Sequence, residues 1–201
     1  MNKVALSAIS GLLLAVAILI TLFLSTSETN FDQKGKTFSD LGGDFTLISQ
    51  DGPVSLSDFK GQVVVMYFGF LNCPDVCPNS MAVVRSALNR LDEQALQKTQ
   101  AILISIDPKR DTPEVLAEYS EFFHPKLVGV TGTQEVIDTV TEQYGAYYNY
   151  TEVQSSSLEY GVEHSSRYYV IDQSGKLITA MRHSTTPNEL YAQIVELQEK
   201  G

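Results

Sequence analysis

The sequence predicts an α/β sandwich with a mixed central sheet, preceded by a β-hairpin extension and an N-terminal transmembrane helix. Three observations predict it. Runs of β-branched and aromatic residues alternate with segments of helical periodicity. Near the C-terminus two such runs flank a polar turn and precede a capped helix, the pattern of an antiparallel pair. And Val4 to Leu24 carries no charge, a length close to the roughly 20 apolar residues that span a bilayer.

The elements follow in chain order. Residues 1–24 are expected to form an uncleaved signal anchor, because no A-x-A cleavage pattern follows Leu24. Lys3 favours a cytoplasmic N-terminus and so a domain outside the bacterial inner membrane, on the periplasmic side. Residues 25–36 are polar and suit a tether, leaving 37–201 for one globular domain. Phe45 to Ile48 and Val54 to Leu56 flank Ser49-Gln50-Asp51-Gly52-Pro53 as a first hairpin. Val63 to Phe70 is an unbroken apolar run, as expected of a strand buried on both faces. Pro78 to about Leu96 places Met81, Val84, Leu88 and Leu91 at helical spacing.

Ala101 to Ile106 is a second buried strand. Thr112-Pro113 opens a helix to about Phe123, with the N-cap and N1 residues such a start favours. Leu127 to Val130 is a short strand, and Thr133 caps a helix to about Tyr144. Thr151 to Gly161 is expected to be a long polar loop, mobile without metal and quieter once a bound metal fixes its end. Arg167 to Ile171 and Leu177 to Met181 flank the turn Asp172 to Lys176, and Thr186-Pro187 opens the last helix. A βαβ unit followed by a ββα unit, with cysteines at the end of the first buried strand, describes a thioredoxin-like fold. In open α/β sheets ligands gather outside the carboxyl ends of the strands, where these cysteines fall.

A net charge of −10 excludes nucleic acid as a partner, since phosphate binding needs a basic face. The chemistry therefore centres on Cys73 and Cys77, the only two cysteines. They lie where the first buried strand meets a helix, and a helix N-terminus favours a thiolate. Three readings are open: a structural disulfide, a redox couple, and a metal site. A C-x-x-C pair would point to disulfide exchange. Here the spacing is C-x-x-x-C, which sets both side chains on one face of a helical turn yet remains within reach of a disulfide. Zinc and iron–sulfur clusters want four protein ligands, whereas Cu(I) accepts two or three soft ones.

Of the three histidines, His124 reads as a helix-end cap and His183 as an exposed residue after the last strand. His164 differs. It directly precedes the strand at Arg167, and in a thioredoxin-like sheet that loop faces the cysteine-bearing loop. No proline lies between Pro125 and Pro187, so the proline that docks substrates in disulfide-exchanging thioredoxins is missing from this place. Asp107 and Asp111, on the same sheet edge, read as turn-shaping residues that could also tune the site. Tyr144, Tyr147, Tyr148 and Tyr150 form an aromatic cluster suited to packing or to a binding surface.

The motifs together resemble those of the SCO/SenC copper chaperones. They are Phe68-Gly69-Phe70, Cys73-Pro74-Asp75-Val76-Cys77-Pro78, Ser105 to Pro113, Leu127 to Thr133, and Glu163-His164-Ser165 before Tyr168 to Asp172. The resemblance runs from about Leu41 to the C-terminus. It implies one copper ion, as Cu(I) or Cu(II), held by Cys73, Cys77 and His164. It also implies a copper donor protein and delivery to the copper-bearing subunit of cytochrome c oxidase. A further implication is thiol-disulfide reductase activity at that centre, in which Cys73 and Cys77 would form a redox disulfide. Leu71-Asn72 and Glu163 depart mildly from the family pattern without removing a ligand. A peroxiredoxin-like peroxidase would need Thr and Arg around its reactive cysteine, and the local sequence lacks that arrangement.

Overall fold

The computed structural model describes residues 37–152 and 160–201. The expected anchor and tether, residues 1–24 and 25–36, lie outside the described residues, and no helix among the described residues is long and apolar enough to cross a membrane.

The domain is built on a five-stranded sheet. Strands β3 (Val63–Gly69), β4 (Thr99–Ser105) and β5 (Leu127–Val130) run parallel, and β8 (Arg167–Ile171) and β9 (Leu177–Arg182) are antiparallel additions, in the order β5-β4-β3-β8-β9. Every residue of β3 and β4 is buried, as the apolar runs within them require, and Thr99, Gln100 and Ser105 of β4 are buried polar residues. Each large apolar side chain among them contributes about 1.5–3 kcal/mol of burial free energy, which makes this pair the core of the domain. Alternation along β3 then sends neighbouring aromatics to opposite faces. Tyr67 meets Tyr168 at 5.5 Å between ring centroids and accepts a hydrogen bond from Ser80 of helix α1 (Val76–Leu88). Phe68 meets Tyr169 at 5.3 Å and Tyr144 at 6.2 Å, next to helix α4 (Gln134–Gln143).

The expected N-terminal hairpin forms from β1 (Thr46–Ser49) and β2 (Gly52–Ser55), with a tighter turn than expected: Ser49 pairs with Gly52, and only Gln50 and Asp51 lie between them. Gly52 follows that turn at φ +117, a left-handed conformation natural to glycine. Helix α3 (Pro113–Phe123) starts with Thr112 at the N-cap and Pro113 in the first turn. Thr133 caps α4 by accepting from Val136 N–H. The last helix, α5 (Pro187–Lys200), begins with a capping box between Thr186 and Glu189 and packs on α1.

Two expectations are corrected. The helix expected from Pro78 to Leu96 is two helices, α1 and α2 (Glu93–Gln97). Asp92 accepts a hydrogen bond from Ala95 N–H at 2.8 Å and starts the second helix, so a cap overrides continuing periodicity. The expected loop from Thr151 to Gly161 begins and ends in strand. β6 (Tyr148–Glu152) and β7 (Tyr160–His164) pair antiparallel as a separate two-stranded sheet, with Tyr148 opposite His164. The physical reason is the alternation Tyr148-Asn149-Tyr150-Thr151, a period of two rather than an irregular aromatic cluster.

Candidate metal centre

Cys73 and Cys77 follow β3, as expected. Asp75 stands at the N-cap of α1, so Cys77 lies in the first helical turn and Cys73 in the loop above it. Cys77 N–H donates to Cys73 Sγ at 3.3 Å, making the helix N-terminus a direct partner of that sulfur. Cys77 is buried and Cys73 half-buried, and both are free thiols. Gly69, at the end of β3, is what lets Cys77 in: a Cβ there would stand 3.2 Å from its sulfur.

His164 reaches the same point from the end of β7. Its Nε2 lies 3.4 Å from Cys77 Sγ, and the two sulfurs and one imidazole nitrogen all fall within 4.8 Å of one another. Phe70 and Tyr67 hold the imidazole edge-on, with centroids 5.7 and 6.1 Å away. Its Nδ1 is enclosed without a hydrogen-bond partner, so Nε2 is the nitrogen turned to the sulfurs. Among the described residues this is the one group of metal-ligating side chains so gathered. The donor set fits one soft cation: two sulfurs and a borderline imidazole suit copper better than a hard ion.

The two thiols differ in acidity. The hydrogen bond from the Cys77 thiol, with a smaller one from His164, holds Cys73 well below the ordinary thiol range against the opposing effect of burial. Cys77 moves the other way, because it donates to Cys73 and is buried. The pair thus favours the thiolate on Cys73 over Cys77.

The loop between β4 and α3 supports both halves of the site. Ile106 N–H donates to Gly69 O at 2.9 Å. Asp111 is buried, and its Oδ2 accepts from Leu71 N–H at 3.0 Å and from Ser105 Oγ–H at 2.6 Å, fixing the approach to Cys73. Burial holds the Asp111 carboxyl above its usual range. Asp107 is also buried, pairs with Arg110, and accepts from the Tyr160 hydroxyl at 2.6 Å. These two acids do more than shape a turn. Their signal was present in the sequence as two carboxylates on the cysteine edge. Tyr67 was the quieter signal, a lone hydroxyl in an otherwise apolar strand.

His124 stands at the C-cap of α3, but its backbone N–H, not its ring, bonds the helix end at Ser120 O; the imidazole instead accepts from Lys126 N–H at 2.9 Å, and burial lowers its pKa. His183 is exposed, yet it lines an open cavity of about 430 Å³ with His164, Arg167 and Arg182.

Comparison with known proteins bears on the family and the fold. Residues 33–199 match the family model SCO1/SenC. A SCO2-like protein of Rickettsia felis is 35% identical over 194 residues, covering 94% of each chain. The crystal structure of Arabidopsis thaliana ScoI with copper bound has a TM-score of 0.73 at 31% identity, covering 80% of this chain and 99% of that one. Copper-bound yeast Sco1 has a TM-score of 0.71 at 32% identity, covering 81% and 90%. The fold is the thioredoxin-like α/β fold with a mixed sheet. With its cysteine pair and histidine converging as the sequence led us to expect, the chain belongs to the SCO1/SenC family.

Proposed function

We propose that this protein binds one copper ion through Cys73, Cys77 and His164 and helps deliver it to the binuclear copper centre of cytochrome c oxidase. One observation carries the reading: two sulfurs and one imidazole nitrogen, from two separate elements, lie within 4.8 Å of one another. Copper is the cargo. Two thiolates suit Cu(I), and the imidazole keeps Cu(II) accessible as well. Half-exposure of Cys73 leaves one ligand open to exchange with an incoming partner, while the buried Cys77 stays behind. The relatives bound to copper support the metal, and family membership supports the oxidase as recipient. The uncharged run from Val4 to Leu24 supports an inner-membrane anchor with the domain on the periplasmic side. A copper donor protein would supply the ion.

Anaerobic copper titration of the fully reduced chain, beside His164→Ala, tests this. The wild type should bind one equivalent. The variant should lose at least about tenfold in affinity, since even residues that only support a ligand cost 10–100-fold. Unchanged binding in His164→Ala would sink the reading.

The asymmetry of the thiols favours a second reading, a thiol-disulfide reductase acting on the cysteines of the same centre. Cys73 thiolate would attack a partner disulfide to form a mixed disulfide. Cys77 would then displace the second partner sulfur, leaving a Cys73–Cys77 disulfide and a reduced partner dithiol. If His164→Ala keeps its copper affinity but loses reductase activity, this second reading holds instead.

A further inference from the structure

His164 reaches the sulfurs from a hairpin that has no sheet of its own to lean on. β6 and β7 pair only with each other, and a lone two-stranded hairpin is marginal in water. Its position depends on what it is fastened to. In the middle of β6, opposite Val162, the Tyr150 hydroxyl shares its one proton between Ile106 O at 3.0 Å and Gln134 Oε1 at 2.9 Å. At the start of β7 the fastening is charged. Tyr160 donates its hydroxyl to Asp107 Oδ1 at 2.6 Å, and Arg110 Nη1 donates to Tyr160 O at 3.1 Å. The Arg110 guanidinium also lies 3.9 Å from the Tyr160 ring centroid, within cation–π range, while its Nε pairs with Asp107. Asp107 itself is fully buried, so the loop offers a fixed acceptor rather than a mobile one.

We infer that Asp107, Arg110 and Tyr160 form a latch whose role is to present His164 to Cys73 and Cys77, with Tyr160 and Arg110 acting as positioning residues. The same loop anchors the cysteine side through Asp111 and Leu71 N–H, so one bracket sets the distance between the two halves of the site. Releasing the latch would withdraw the imidazole while leaving both sulfurs in place. A three-ligand site would become a two-thiol site without any change in the cysteines. That is a route by which a docking partner that competes for Arg110 or Tyr160 could loosen the cargo. The role in metal capture rests on the copper reading above; the mechanical role does not.

Two variants of the full chain test the latch. Tyr160→Phe keeps the ring under Arg110 and removes only the hydroxyl. Arg110→Lys keeps the charge beside Asp107 and loses the fork that reaches Tyr160 O. Hydrogen exchange of the metal-free chain should show residues 160–164 exchanging about tenfold faster in both variants, with β3 and β4 unchanged. In copper(II)-loaded protein the imidazole-nitrogen coupling seen by electron paramagnetic resonance should weaken or vanish. Copper affinity of Tyr160→Phe/His164→Ala should equal that of His164→Ala alone. Unaltered exchange across β7 in both variants would overturn the latch. So would losses that add in the double variant, because Tyr160 would then act elsewhere than through His164. If the wild type binds no copper, the copper reading fails, and hydrogen exchange alone decides the latch.

Discussion

Cys73 and Cys77 are four residues apart, one in the loop and one in the first turn of α1, and their surroundings divide the work between them. Cys73 accepts from the Cys77 N–H at the start of α1 and from the Cys77 thiol, which lowers its pKa; Cys77 is buried against Gly69 and raised. The consequence is measurable without metal. A free thiol with its pKa near 8.5 alkylates about tenfold more slowly for each pH unit below that value. Because the Cys73 pKa is lowered, its thiolate persists below neutrality, so its iodoacetamide alkylation should stay nearly flat between pH 6 and 9. Removing the donor in Cys77→Ala should restore a rising profile, and peptide mapping of the labelled site checks it. The three candidate ligands were legible at this scale, because cysteine and histidine are rare here and their spacing is meaningful. Tyr160 and Arg110 were not. Their role depends on a contact across 50 residues of chain, and no local pattern in either segment announces it.

At the scale of elements, strands were easier to read than their partners. The apolar runs within β3 and β4 announced burial on both faces, and Thr112, Thr133 and Thr186 announced helix starts. The β6–β7 hairpin was obscured because its inward faces are tyrosines, whose hydroxyls end on Ile106, Gln134 and Asp107 rather than in an apolar core. A strand fastened by polar tips looks like loop in a hydropathy pattern. The fit of α3 on β5 is another feature no pattern reveals. A Cβ on Gly129 would stand 2.6 Å from Leu116 O and 2.7 Å from Ser120 Oγ, so the helix could settle on the strand only over a glycine. Gly129→Ala should therefore cost about 2–3 kcal/mol, the scale of overpacking a rigid contact. A fall in the urea midpoint with an unchanged slope would show it, and a midpoint equal to wild type would refute it.

At the scale of the molecule, the sheet explains why the site lies where it does. β3 is flanked by parallel β4 on one side and antiparallel β8 on the other, so its carboxyl end is where connections diverge and a crevice opens. The cysteines leave β3 at that edge, and His164 enters just before β8, which makes the candidate metal site a joint between the two halves of the sheet. A ligand that bridges this joint binds the folded chain and loses its geometry when the chain unfolds. Stabilisation follows as RT ln(1 + [L]/Kd), about 2.7 kcal/mol when free ligand is 100 Kd. For a domain of this size each kcal/mol moves the melting temperature by about 2–4 °C. Free copper(I) buffered at 100 Kd should thus raise the melting temperature of the reduced chain by about 5–10 °C. The rise should be smaller in His164→Ala at the same buffered copper, and absent in Cys73→Ser/Cys77→Ser. Unfolded thiolates also bind Cu(I), which trims the wild-type shift but not the ranking. An equal shift in all three proteins would mean that copper binds away from this joint.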